Sequence, residues 1–173
     1  EFIPAAEESG QIVKMEAWLQ KVCLGQLRQW NRARPDMHMS LNLSVRQLER
    51  PDFVERFGST LRESGVDPAN VIAEVTETFA MQRPRDAARI LEGLAGLGIV
   101  LAIDDFGTRY SNLGQLQHLP FQIVKIDPET LENPSGFMGK LVTRAGEPVI
   151  RAAMRHAMRI MGHQFVMGRT IAE

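Results

Sequence analysis

Two adjacent carboxylates, Asp104 and Asp105, close a run of apolar and β-branched residues, Ile99 to Ile103, and Gly107 follows two positions on. Acid delivered at the end of a buried strand points to cation chemistry, because carboxylates beside an apolar core need cations, hydrogen-bond donors or solvent. A divalent metal meets that need economically. The plainer alternative is that one of the pair caps the next helix, and for an isolated Asp-Asp pair the two readings weigh about equally. Polar heads recur at other strand-like stretches: Asn42 closing MHMSLNL, Glu74 within VIAEVT with Glu77 just beyond it, and Lys125 and Asp127 in FQIVKID. Lys125 and Asp127 stand two apart and so share a strand face. Each residue alone has a bland reading: Asn42 as a turn residue, Glu74 as a solvated strand position, Lys125 as an ion-pair partner for Asp127. Four successive strands that repeat the arrangement weigh against coincidence.

The elements that must position these residues alternate along the chain. EFIPAAEESG reads as the end of a loop followed by a short acidic turn closed at Gly10. From Gln11 to about Arg34, Ile12, Met15, Leu19, Val22, Cys23, Leu27 and Trp30 recur at helical spacing, and Pro35 ends the segment. Met37 to Leu43 alternates as a strand. Pro51 and Asp52 open a helix carrying Phe53, Val54, Phe57 and Leu61, and Gly65 stops it. Val71 to Thr76 is the next strand, with Glu74 and Thr76 on one face. A helix from about Pro84 to Leu97 carries Ala88, Leu91, Leu94 and Leu97; Gly98 separates it from the strand that ends at the Asp-Asp pair. Ser111 to His118 reads as a short helical segment, and Phe121 to Asp127 as another strand. Strand, helix, strand, helix argues for parallel α/β architecture, because parallel neighbours need crossover connections. In a barrel of this kind the C-terminal strand ends converge on one mouth.

Composition bounds the function. The 173 residues suffice for one domain with a real core and are few for two. Lys and Arg total 20 against 21 Asp and Glu, a net charge of −1 that offers no general field for a nucleic-acid polymer or an anionic membrane. An anionic ligand would have to be met locally. The single cysteine, Cys23, lies in an apolar helical pattern and reads as a buried thiol, which suits a reducing compartment. No apolar run reaches the roughly 18 residues of a membrane span.

Five stretches carry a resemblance: FIPAAEESG at 2 to 10, LNLSVRQLERPDF at 41 to 53, EVTET at 74 to 78, DDFGTRYSNL at 104 to 113 and VKID at 124 to 127. In that order and spacing the chain resembles the EAL family of cyclic-di-GMP phosphodiesterases. The resemblance implies a modified (β/α)8, TIM-like barrel whose mouth binds two divalent metals, Mg²⁺ or Mn²⁺, and opens cyclic-di-GMP to linear pGpG. It implies metal ligation by Asn42, Glu74, Asp104 and Asp105, and it places Lys125 near the attacking water; Lys125, Asp105 and Glu74 are thereby the catalytic candidates. For Glu77 it implies a role in holding the loop after the Asp-Asp pair. The chemistry agrees, since these metals prefer hard oxygen ligands, and two such ions can activate water and clamp both oxygens of an in-line displacement. The resemblance also implies a bacterial cytoplasmic setting, a sensory or GGDEF domain elsewhere in the full-length protein, and room for a homodimer.

Departures from the family pattern set the competing reading. The EAL tripeptide and the AEGVE motif, each a source of acid near the metals, are not among the printed residues, so the barrel is expected to be incomplete, starting after its first strand. GHQFVMGR resembles the family's closing strand and turn, with Gln164 in a matching place. The 36 residues from Asp127 to Gln164 then leave out a β-α unit between 128 and 163. Arg109 stands where the DDFGTGYS loop has glycine, at a turn where it could reach a phosphate. If the missing acids exist in the full protein, a metal-dependent phosphodiesterase is expected; if they are deleted, an inactive domain serving as a cyclic-di-GMP receptor or protein-interaction module.

Overall fold

The computed structural model describes residues 3–82, 84–106 and 118–126. The element order is α1 (Ile3–Glu8), α2 (Ile12–Asn31), β1 (Met39–Asn42), α3 (Val45–Leu48), α4 (Phe53–Ser64), β2 (Val71–Thr76), α5 (Glu77–Gln82), α6 (Pro84–Ala95), β3 (Val100–Phe106) and β4 (Ile123–Ile126), with a 3₁₀ turn at Pro68–Asn70. The four strands form one sheet in the order β1-β2-β3-β4, and every pairing is parallel. Sequential order, with helices connecting β1 to β2 and β2 to β3, is the pattern of consecutive units of a barrel.

Local chemistry explains the boundaries. Asp52 precedes α4 and anchors its entry by pairing with Arg50 at 3.1 Å and Arg56 at 3.3 Å. Gly65 ends the helix with φ 67°, a left-handed conformation that a side chain would strain. Ser44 caps α3 by accepting from the Gln47 N–H at 3.3 Å, and Asp67 caps the 3₁₀ turn by accepting from the Ala69 N–H at 3.0 Å.

One hydrophobic core joins the helices to one face of the sheet. Leu24 and Leu27 of α2, Phe57 and Leu61 of α4, and Ala87, Leu91 and Leu94 of α6 pack with Leu41, Val71, Ala73, Val75 and Leu101. Phe57 is 2% exposed; removing a side chain so enclosed costs about 3–5 kcal/mol. A smaller cluster of Ala80, Ile103 and Phe106 continues the core toward β4. With Leu41, Ala73, Leu101 and Val124 given to this layer, the period of two puts Asn42, Glu74, Thr76, Ala102, Asp104 and Lys125 on the opposite face.

Several expectations are corrected. Residues 3–8 are helical, so Ile3 and Pro4 are not a loop end, while the turn read at Gly10 is present, with φ 72°. Short helices α3 and α5 arise where only a strand end and its successor were foreseen. On α2 the buried set is Ile12, Gln20, Leu24 and Leu27, whereas Met15, Leu19, Val22 and Trp30 are exposed, as is Trp18 at 66%. Two apolar stripes run along that helix and only one faces the core. Cys23 is half-buried at the core's edge. The strand expected to end at the Asp-Asp pair continues one residue past it, to Phe106. The segment 111–117, Gly107, Arg109, Asp127 and everything after it lie outside the described residues, as does the question of a β-α unit missing between 128 and 163.

Candidate functional site

Parallel register brings the polar heads into rows. Asn42 stands opposite Glu74 at the β1/β2 pairing, and Thr76 opposite Asp104 at the β2/β3 pairing. Between β3 and β4 the register shifts: Ile103 pairs with Val124 and Phe106 with Ile126, so β3 advances three residues while β4 advances two. The extra residue falls at Asp104 and Asp105, opposite Lys125. This is a β-bulge, a device that re-aims side chains at sheet ends and beside active sites. Its backbone is unusual: Asp105 has φ 54°, and it is the one described residue other than glycine with a positive φ. Aspartate tolerates that conformation better than most side chains, and such strain concentrates at functional sites.

The bulge brings three charges together. The Lys125 ammonium donates to Glu74 Oε2 at 2.6 Å and stands 3.4 Å from Asp104 Oδ1. Glu74 is 4% exposed, so its carboxylate requires a cation, and Lys125 supplies one. Partial burial of Lys125 lowers its pKa, but the hydrogen bond and charge of Glu74, then those of Asp104, outweigh it, and the pKa is raised. The lysine is therefore a fixed positive charge at neutral pH.

The other expected site residues sit around this cluster. Asn42 is exposed at the carboxyl end of β1, and the backbone beyond it is pinned because the Leu43 N–H donates to the Glu74 carbonyl at 2.9 Å. Asp105 is exposed beside Asp104. Glu77 is 2% exposed at the start of α5. Among the described residues, no three carboxylate, imidazole or thiol groups are gathered as a ready cage for a metal. Yet the donor set is oxygen only, and two of its carboxylates already share a cation in Lys125, which fits a hard divalent ion. The roles expected for Arg109, Asp127 and Gln164 lie outside the described residues. Sequence reasoning missed Ser44, Gln47, Glu16 and Gln20, which hold the turn after Asn42; the Ser44-to-Gln47 capping spacing was the available signal.

A parallel α/β sheet that collects opposed charges at its carboxyl strand ends, on the face away from the helix core, is the mouth of a TIM-like barrel. Comparison with known proteins agrees: the family model described as the EAL domain matches residues 1–167. This chain belongs to the EAL domain family, and the described residues form part of its TIM-barrel-like fold. The Pseudomonas aeruginosa protein MucR, a bifunctional diguanylate cyclase and cyclic-di-GMP phosphodiesterase, is 33% identical over 155 residues, 89% of this chain and 22% of that protein. An uncharacterized protein of Azorhizobium caulinodans is 37% identical over 131 residues, 73% of this chain and 18% of that protein. The solved MucR phosphodiesterase in complex with cyclic-di-GMP superposes with a TM-score of 0.74 at 33% identity, covering 82% of this chain and 59% of that one. This chain thus spans about a fifth of the length of those curated relatives and over half of the solved domain. Among the described residues no helix is long and apolar enough to cross a membrane.

Proposed function

We propose that this chain carries the metal-binding and substrate-binding strand ends of a cyclic-di-GMP phosphodiesterase, which opens one phosphodiester of the cyclic dinucleotide to give linear pGpG in the bacterial cytoplasm. The observation that supports this reading best is the Glu74–Lys125–Asp104 cluster, a charged group set at the carboxyl ends of adjacent parallel strands. Asn42, Glu74, Asp104 and Asp105 would hold Mg²⁺ or Mn²⁺, which supplies Lewis-acid polarisation of the phosphate and activation of water. Glu74 anchors the site from a buried position. Asp105 projects from a backbone that the bulge has turned. Lys125 would orient the attacking water or offset the charge growing on the phosphate oxygens. Glu77 is buried at the start of α5, and the role proposed for it is the positioning one that the family resemblance implies.

The test is incubation of the full-length protein with cyclic-di-GMP and either Mg²⁺ or Mn²⁺, with nucleotides resolved by chromatography. The expected result is pGpG in the presence of either metal, none after chelation, and inhibition by Ca²⁺, whose larger and looser shell suits in-line chemistry poorly. Binding of intact cyclic-di-GMP without any pGpG at saturating Mg²⁺ and Mn²⁺ would overturn the enzyme reading in favour of a receptor.

A further inference from the structure

The candidate site includes Asn42, whose strand is only four residues long and lies at an edge of the described sheet. The turn after it is clamped from two sides. On one side the Leu43 N–H donates to the Glu74 carbonyl at 2.9 Å. On the other, α2 supplies two contacts. The Ser44 hydroxyl donates to Glu16 Oε2 at 2.8 Å, and the Gln20 side-chain amide donates to Gln47 Oε1 at 3.4 Å.

These contacts are chemically selective. Ser44 caps α3 with its oxygen, accepting from the Gln47 N–H at 3.3 Å, and needs no carboxylate for that purpose. Donation to Glu16 is charge-assisted and fixes the hydroxyl rotor that the cap uses. Gln20 and Gln47 are 7% and 3% exposed, an expensive place for two amides when apolar side chains of similar volume would pack there at no polar cost. Buried polar pairs of this kind specify one relative placement of the elements they join. Here they join α2 to the turn that begins one residue after Asn42.

We infer that Glu16 and Gln20 are positioning residues for the carboxylate site: from the helical layer outside the sheet, they act through Ser44 and Gln47 to set where Asn42 stands against Glu74. The inference rests on the proposed reading of that site. Groups that orient metal ligands from behind typically change metal affinity about 10- to 100-fold when removed, which gives the expected scale.

The experiment uses the 173-residue chain, with MnCl₂ titrated calorimetrically and Leu43 amide hydrogen exchange followed without metal. Glu16→Ala should weaken Mn²⁺ binding about 10-fold and speed Leu43 exchange, while Glu16→Gln, which keeps an acceptor, should return affinity to within about threefold of the parent. In an Asn42→Ala background Glu16→Ala should have no further effect on Mn²⁺, because the residue it positions is gone. A merely structural role predicts a lowered melting temperature with Mn²⁺ affinity and Leu43 exchange unchanged, or independent effects in the double variant; either result overturns the inference. Should the parent chain bind no Mn²⁺, the metal-site reading falls, and unchanged Leu43 exchange in Glu16→Ala then overturns the clamp itself.

Discussion

Lys125 and Glu74 meet at 2.6 Å although 51 residues separate them, and the same ammonium lies 3.4 Å from Asp104. One lysine thus compensates two carboxylates on neighbouring strands. A divalent ion entering between those carboxylates would compete with it.

That competition makes the two functions of Lys125 separable. Lys125→Ala removes the resident cation, so Mn²⁺ should bind several-fold more tightly, by about the scale of one lost charge repulsion in a partly screened site. Turnover of cyclic-di-GMP should fall about 10²-fold, as when an interaction made mainly in the transition state is lost. Calorimetric titration and steady-state kinetics on the same preparation check both. A loss confined to KM would instead make Lys125 a ground-state phosphate contact.

The raised pKa of Lys125 gives a pH dependence with a defined sign. A cation whose pKa is higher folded than unfolded contributes its full stabilisation below the unfolded value, about 10.4 for lysine, and loses it as pH rises through the folded value. The difference in melting temperature between the parent and Lys125→Met should therefore be constant from about pH 7 to 9 and shrink above about pH 10.4. Thermal melts across that range test it. A difference that shrinks on going below neutral pH would place the effect on another group.

Gly58 within α4 and Gly65 just past its end should respond differently to alanine. At Gly65, φ 67° strains any side chain, so Gly65→Ala should destabilise by about 1–2 kcal/mol. Gly58 is helical, and an added Cβ would approach Leu97 Cδ2 at 2.9 Å, the tip of a side chain that can swing aside. Relief of the glycine helix penalty, about 1 kcal/mol, then offsets that shift, and Gly58→Ala should be near neutral. Chemical denaturation of the two variants decides the ordering.

Much of the scaffold was legible in the sequence. VIAEVT is continuous and β-rich, and β2 spans Val71–Thr76 as read; Asp52 and Gly65 bracket α4 as its turn chemistry requires. The helices α3 and α5, with four and six residues, are too short for periodicity to declare. On α2 the failure has another cause. Met15, Leu19 and Val22 repeat at the same helical spacing as the inward set, and spacing alone does not say which of two apolar stripes meets the sheet. For the site, the strand-end positions of Asn42, Glu74, Asp104 and Lys125 followed from alternation. The pairing of Lys125 with Glu74 and Asp104 did not: it comes from register across three strands, while Asp127, the partner that adjacency suggested, lies outside the described residues. The bulge was equally hidden, since Asp-Asp permits a left-handed residue without demanding one.

Asp105 combines a strained backbone with a carboxylate proposed to hold metal, and substitutions can separate the two. With φ 54° at the bulge, a β-branched side chain should be the worst replacement: Asp105→Val is expected to cost about 1–3 kcal/mol of stability. Asp105→Gly should relieve the strain and match or exceed the parent in melting temperature. Asp105→Asn keeps a side chain that tolerates the left-handed region, so its fold should be intact. The charge tells the rest. If the Asp105 carboxylate holds the metal, both Asp105→Asn and Asp105→Gly should bind Mn²⁺ at least about 10-fold more weakly while melting like the parent. If Asp105 serves only to turn the chain so that Asp104 meets Lys125, Asp105→Asn should keep parental Mn²⁺ affinity and Asp105→Val alone should lose it. Melting curves and Mn²⁺ titrations of the three variants distinguish a ligand from a hinge.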